Sequence, residues 1–357
     1  MSSNEAPGTS AGFDPSTLKL KAFSNAAAGH DGVLSDETGE VLIKPCTAAE
    51  IAFYQASASE HPDFYELMPT MLGTLQLGQP SNLPEDIKLP VAAPEELTQE
   101  YKDQKLLHGK ALKTETAIVL ENLEHGFVHP NVLDLKLGAR LYDPKTTSPE
   151  KAARLDKVSS ETTSGSLHYR IAGMKVWHAS KQEYTVYDKF YGRQFTAKTI
   201  KEGYETFFAD LLPRKEKLHQ GANLPQQDAH ALLELLLADI TRARHVLSRS
   251  ASRMYGASVL IVYEGDQSAL TSLLSGNTFA EKTVPKKDEV APTSEEVAEA
   301  EEEDEDEEEE RRVAFRVKMI DFAHAQWVEE GEGPDGNVLE GLRNVEGAME
   351  EIVGRFV

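Results

Sequence analysis

The stretch Pro130-Asn131-Val132-Leu133-Asp134-Leu135-Lys136-Leu137-Gly138 sets an acid and a base two residues apart inside an otherwise apolar run. In an extended backbone the side chains at i and i+2 leave the same face, so Asp134 and Lys136 share one surface, with Val132 and the leucines at 133, 135 and 137 available for burial around them. Gly138 frees the backbone to turn sharply or to approach a ligand. An aspartate that orients a hydroxyl or holds a nucleotide, beside a lysine that neutralises phosphate charge, suits a polyphosphate site. The same spacing also fits a strand with an incidental surface ion pair, and spacing alone does not choose between the two.

Several other segments would have to position this pair. Val33-Leu34 and Val41-Leu42-Ile43-Lys44-Pro45 read as two short strands joined by glycine-bearing turns. Lys44 closes the second of them, and Glu50 opens a helical stretch at Ile51-Ala52-Phe53-Tyr54. Thr116-Ala117-Ile118-Val119-Leu120 reads as a buried strand running into Glu121-Asn122-Leu123-Glu124. The run from Arg170 to Trp177 alternates as a strand, and residues 226–252 read as one long, largely buried helix. Residues 257–263 and 315–322 form a predicted antiparallel pair with an enlarged connection. The second of these ends in Ile320-Asp321-Phe322-Ala323-His324-Ala325. Val338, Leu339, Leu342, Val345, Met349, Ile352 and Val353, spaced three and four apart, predict a closing amphipathic helix.

Residues 130–138 match Pro-x-x-x-Asp-x-Lys-x-Gly at every fixed position, and residues 320–324 match Ile-Asp-Phe-Ala-His. On these motifs the chain resembles the inositol polyphosphate kinase family, and within it the multikinases, fungal members especially. The similarity runs from about residue 22 to the C-terminus and lapses in three polar insertions. Ala257-Ser258-Val259-Leu260 stands where the family carries Ser-Ser-Leu-Leu, so the first serine is lost and the second kept.

The resemblance implies an α+β, bilobal kinase-like fold: an antiparallel-sheet N-lobe, a mixed α/β C-lobe, and ATP in the cleft between them. It implies ATP- and Mg²⁺-dependent conversion of inositol trisphosphate to tetrakis- and pentakisphosphate. The roles it assigns are specific. Lys44, paired with Glu50, would hold ATP phosphates. Backbone groups of Glu121 and Leu123 would bond the adenine edge. Asp321 and Ser258 would hold the metal. Asp134 and Lys136 would form the catalytic pair, with Asp134 orienting the hydroxyl, acting as base or contacting the ribose. Lys136 would bridge the transferred phosphoryl group and the substrate, with Arg170 and His324 beside it. Lys175 could also reach substrate phosphates, whereas residues 187–193 are expected to serve the fold. Two other functions stay open: an inositol hexakisphosphate kinase with the same core motifs, and a nuclear scaffold or transcriptional cofactor acting through an acidic loop.

The expected organisation is a disordered N-terminus (1–17), an N-lobe (18–124) with a Pro-rich insertion near 79–97, and a C-lobe (125–357). The C-lobe would contain a substrate-binding segment (139–170) and a disordered acidic insertion near 267–311. The chain has 357 residues, 40% of them hydrophobic, enough for a sizeable core. Its net charge is −23, but thirteen acidic side chains lie between Glu295 and Glu310, and setting them aside leaves −10. Such a charge block stays solvated and is a candidate surface for basic protein partners. Direct nucleic-acid binding is not expected, and phosphoinositide lipids are a second possible substrate class. The single cysteine, Cys46, excludes an intramolecular disulfide, and no apolar run reaches the ~18 residues of a membrane span. With no signal-peptide pattern at the N-terminus, the expected location is the nucleus and cytoplasm.

Overall fold

The computed structural model describes residues 20–23, 33–76, 114, 116–213, 224–275 and 313–356. Two five-stranded sheets, each antiparallel throughout, carry the site between them. The N-terminal sheet contains β1 (Leu20–Ala22), β2 (Leu34–Asp36), β3 (Val41–Pro45), β4 (Met71–Gln76) and β5 (Thr116–Glu121), in the order β1-β2-β3-β5-β4. The C-terminal sheet contains β6 (Pro130–Leu137), β7 (Tyr169–His178), β8 (Glu183–Tyr187), β10 (Ser258–Glu264) and β11 (Phe315–Ile320), in the order β11-β10-β6-β7-β8. β9 (Ser252–Met254) and β12 (Ala325–Trp327) form a separate pair.

The turn between β2 and β3 is tied by one carboxylate. Asp36 Oδ1 accepts from the backbone of Gly39 and Val41, both at 3.1 Å. After β3, Thr47 adopts an extended conformation and its hydroxyl caps the Glu50 N–H at 3.2 Å, which starts α1 (Ala48–Glu60). Glu50 therefore sits in the first helical turn, buried and directed back at the sheet.

α2 (Pro62–Tyr65) follows α1; the C-terminal lobe holds α3 (Pro149–Ser160), α4 (Thr163–Leu167), α5 (Lys189–Arg193), α6 (Ile200–Phe207), α7 (Gln226–Ser248), α8 (Gln267–Ser275) and α9 (Gly336–Val353). A continuous core joins Leu133, Leu135 and Leu137 of β6 to Leu232, Leu236 and Ile240 of α7 and Val338, Leu342 and Val345 of α9. The leucines of β6 thus face away from Asp134 and Lys136, as period-two alternation requires.

Two predicted boundaries move. The long helix ends at Ser248 rather than 252, because Ser252–Met254 leaves it to pair with β12. The insertion expected to be irregular from residue 267 begins as a helix, α8: Asp266 Oδ1 accepts from Ala269 N at 2.8 Å at its start, and Leu270 is buried. The expectations for residues 1–17 and 79–97 and for the acidic tract lie outside the described residues.

Candidate active site

Four charged side chains from four elements meet at one point. Lys44 Nζ, at the end of β3, lies 2.9 Å from Glu50 Oε1 on α1 and 3.1 Å from Asp321 Oδ1 just past β11. Lys136 Nζ, on β6, lies 3.2 Å from the other Asp321 oxygen, Oδ2. Asp321 thus bridges a lysine of the N-terminal lobe to a lysine of the C-terminal lobe. Burial disfavours the charge on Lys44, but the carboxylates of Asp321 and Glu50 outweigh it and raise its pKa above the ordinary lysine range. Lys44 therefore stands charged at neutral pH.

The backbone of Asp321 adopts φ 69°, a left-handed conformation that costs a non-glycine residue of order 1 kcal/mol or more. Aspartate is among the residues that tolerate it. The strand ends in this turn, and Phe322 is driven into an aromatic cluster with Phe53, Tyr54 and Phe64.

An apolar slot opens beside this charge cluster, enclosing about 820 Å³ including its mouth, a size typical of small-molecule and nucleotide sites. Phe23, Val33 and Leu42 line it from the N-terminal hairpin, Glu121 to Glu124 from the connection between the lobes, and Val132, Leu260 and Ile320 from the C-terminal sheet. Lys44, Asp134 and Asp321 are its charged end. The sequence-predicted Glu121 and Leu123 are both in this lining, and the Glu121 carboxylate is held by the Thr70 N–H at 2.9 Å.

Ser258 pairs with Lys136 on one side and Ile320 on the other, one residue from Asp321. Its Oγ is fully buried and has no hydrogen-bond partner among the described residues. A hard oxygen left over beside a carboxylate is the donor chemistry that a magnesium-like cation takes, so Asp321 and Ser258 fit such an ion.

Arg170 faces Lys136 in the β6–β7 register and is buried, with Nη1 donating to Ser164 Oγ at 2.7 Å. His324 is exposed at the other side; partial burial and nearby Lys151 push its pKa below the usual histidine range, against the opposing pull of Asp143 and Glu50. Lys175, opposite Val132 in the register, is buried against the Glu124 carboxylate beside the slot, with the Tyr184 ring 5.1 Å from its Nζ.

Residues 117–350 match the family described as inositol polyphosphate kinase. The chain belongs to that family. It is similar to the inositol polyphosphate multikinase of Saccharomyces cerevisiae, 29% identical over 91% of this chain and 96% of the relative. The multikinase of Schizosaccharomyces pombe is likewise 29% identical, over 92% and 96%. Human inositol hexakisphosphate kinase 1 is 30% identical over 72% of this chain but only 55% of its own length. A crystal structure of the Saccharomyces cerevisiae inositol phosphate multikinase in complex with ADP and Mn²⁺ superposes with a TM-score of 0.57 at 25% identity, covering 88% of this chain and 99% of that one. The family resemblance read from residues 130–138 and 320–324 and the bilobal kinase-like fold are thus confirmed, and the chain is an inositol polyphosphate kinase.

Three supports of this kinase site carry no motif. Lys136 Nζ donates to the Gly256 carbonyl at 2.7 Å, which fixes the ammonium between that carbonyl and Asp321. Arg316 on β11 donates through Nη1 to the carbonyls of Leu123 and His125, both at 2.8 Å, tying the connection between the lobes to the strand that ends in Asp321. Asn337, in the first turn of α9, clamps the turn after β6: Oδ1 accepts from Ala139 N at 2.8 Å and Arg140 N at 2.9 Å, and Nδ2 donates to the Arg140 carbonyl at 3.1 Å. Gly138 is required there, since its φ is +89° and a Cβ would meet Asn337 Nδ2 at 2.3 Å.

Asn337→Ala removes that clamp, which begins three residues after Lys136. The expected cost is about 1–3 kcal/mol of stability, together with roughly tenfold or greater loss of kcat from the displaced strand end. Thermal unfolding and turnover measured on one preparation check this; an unchanged midpoint with unchanged kcat would show that the clamp is idle.

Proposed function

We propose that this kinase is an ATP- and Mg²⁺-dependent inositol polyphosphate multikinase that phosphorylates inositol trisphosphate to tetrakis- and then pentakisphosphate. The observation that carries the reading is the convergence of Lys44 and Lys136, one from each lobe, on the two oxygens of Asp321 at the charged end of an apolar slot. Phosphoryl transfer needs positioning and charge neutralisation more than covalent help from the protein. A site with two lysines, a carboxylate and a spare buried hydroxyl is built for that.

In this mechanism the slot takes the adenine, with Glu121 and Leu123 offering backbone groups to its edge. Lys44, held by Glu50, neutralises ATP phosphate charge. Asp321 and Ser258 hold Mg²⁺, which when bound offsets negative charge on the phosphoryl oxygens. Lys136 is placed between that point and the substrate, so its ammonium follows the transferred group. Asp134 lines the slot at its charged end, where it orients the acceptor hydroxyl, acts as base or contacts the ribose. Arg170 and His324 face the substrate's existing phosphates.

The nearly full-length similarity to two multikinases favours this over a hexakisphosphate kinase, whose similarity to the chain covers about half of that relative. The same proposal places the protein in nucleus and cytoplasm, treats residues 18–124 and 125–357 as the two lobes, and leaves the tract at 295–310 as a surface for basic proteins and phosphoinositide lipids as further substrates. Purified protein incubated with Mg²⁺-ATP and separate inositol tris-, tetrakis- and hexakisphosphates tests the central activity. Successive tetrakis- and pentakisphosphate products are expected from the trisphosphate; product from the hexakisphosphate alone would overturn the assignment.

A further inference from the structure

The connection between the lobes changes allegiance after Asn122. Up to that residue it is held by the N-terminal lobe: Glu121 N donates to the Thr70 carbonyl at 3.0 Å, Asn122 N to the Glu40 carbonyl at 2.8 Å, and Asn122 Nδ2 to the Gly39 carbonyl at 2.7 Å. From Leu123 onward it is held by the C-terminal sheet. Arg316 on β11 takes the carbonyls of Leu123 and His125, and Lys175 on β7 takes the Glu124 carboxylate. Glu264, at the end of β10, accepts from Val128 N at 2.7 Å and His129 N at 2.9 Å. Glu121 and Leu123, both in the slot lining, are therefore secured by different lobes.

The polarity of the backbone at Leu123 is fixed from two sides. The Asn122 carbonyl accepts from His125 N at 3.0 Å. In a trans peptide the N–H points opposite to the C=O, so the Leu123 N–H is directed out of that turn. The Leu123 carbonyl is committed to Arg316, whose side chain lies outside the residues that line the slot. The connection thus presents a donor at residue 123 and withholds the acceptor. Arg316 is itself seated, with its guanidinium carbon 5.2 Å from the centre of the Phe127 ring. Its strand is anchored further along, where Lys318 Nζ donates to the Glu66 carbonyl at 2.8 Å and Met319 N to the Leu67 carbonyl at 2.6 Å, two residues before Asp321.

We propose that Arg316 is a positioning residue that sets nucleotide specificity. By holding the Leu123 and His125 carbonyls it keeps the Leu123 N–H toward the base, which selects adenine, whose N1 accepts a hydrogen bond, over guanine, whose N1 donates one. A donor facing a donor is left unpaired, and that mismatch is what a polar site rejects most strongly. The same grip ties the base to the strand that ends in Asp321, so base and metal carboxylate keep one spacing. This rests on the placement of adenine beside Glu121 and Leu123 given above.

Calorimetric titration of ADP and of GDP into the full chain reads the effect without an acceptor substrate. The wild type is expected to favour ADP. Arg316→Met is expected to weaken ADP about tenfold, the scale of a lost charge-assisted hydrogen bond, and to weaken GDP less, so that the preference narrows. Arg316→Lys, which keeps a cationic donor, restores part of it. Phe127→Leu leaves the arginine but removes its ring seat, and is expected to narrow the preference about two- to fivefold. KM for inositol trisphosphate at saturating ATP stays unchanged in these variants. Unchanged ADP affinity and preference in Arg316→Met overturns the proposal. Equal weakening of both nucleotides also overturns it, since that marks a merely structural arginine, as does a wild type that binds the two alike. Should Arg316→Met fail to fold, Phe127→Leu decides alone, and an unchanged preference there is equally fatal. Wild-type protein that binds neither nucleotide would instead bring down the nucleotide site itself.

Discussion

Replacing Lys136 with methionine lowers kcat by roughly 10²–10³-fold or more, the loss expected when a preorganised donor to a developing charge is removed. The side chain is about one-fifth exposed and its ammonium bonds Asp321 and the Gly256 carbonyl, so the fold does not depend on it. Methionine retains the length of the stem and its packing. KM for ATP is expected to change little, because the apolar slot, Lys44 and Glu50 are untouched. Initial rates with varied ATP and varied inositol trisphosphate separate the two effects. A Lys136→Met enzyme with full turnover would remove this lysine from the chemistry.

Asp321→Asn is expected to be as damaging to turnover, with a different signature in binding. Asparagine tolerates the left-handed backbone that residue 321 adopts, so the substitution changes charge more than conformation. The carboxylate normally offsets both Lys44 and Lys136. Without it the two ammonium groups face an incoming polyphosphate uncompensated, so nucleotide binding in the presence of a chelator is expected to hold or tighten. What disappears is the gain that Mg²⁺ brings, because the principal carboxylate donor is gone. Calorimetric titration of ADP with and without Mg²⁺ reads this directly. Retained magnesium enhancement in the variant would place the metal elsewhere.

The parts of this site that were legible in the sequence share a physical cause. Asp134, Lys136 and Gly138 lie on one strand, where a two-residue period fixes the face, and Gly138 marks a turn that only glycine accommodates. Lys44 and Glu50 are separated by a strand end and a helix start, so their approach follows from local structure. Asp321 stands at a strand exit before an aromatic residue that must be buried. The rest depends on contacts between distant positions. Asn337 reaches the turn after β6 from nearly 200 residues away, and Arg316 reaches the carbonyls of Leu123 and His125 across a similar span. Neither leaves a local trace, because a backbone carbonyl or N–H looks the same in every residue.

Lys175 shows how a charged residue escapes a local reading. It stands five residues from Arg170, which strict alternation would put on the opposite face, but the bulge between Asp134 and Leu135 returns both to the face of Asp134 and Lys136, where the Glu124 carboxylate engages Lys175.

A crystal structure of this protein with ADP and Mn²⁺, with the metal located by its anomalous signal, tests the central claim most directly. The account predicts a manganese peak coordinated by the Asp321 carboxylate and Ser258 Oγ, with the ADP phosphates against Lys44 and the adenine in the slot beside Glu121 and Leu123. Manganese away from Asp321, or ADP bound outside that slot, would contradict it.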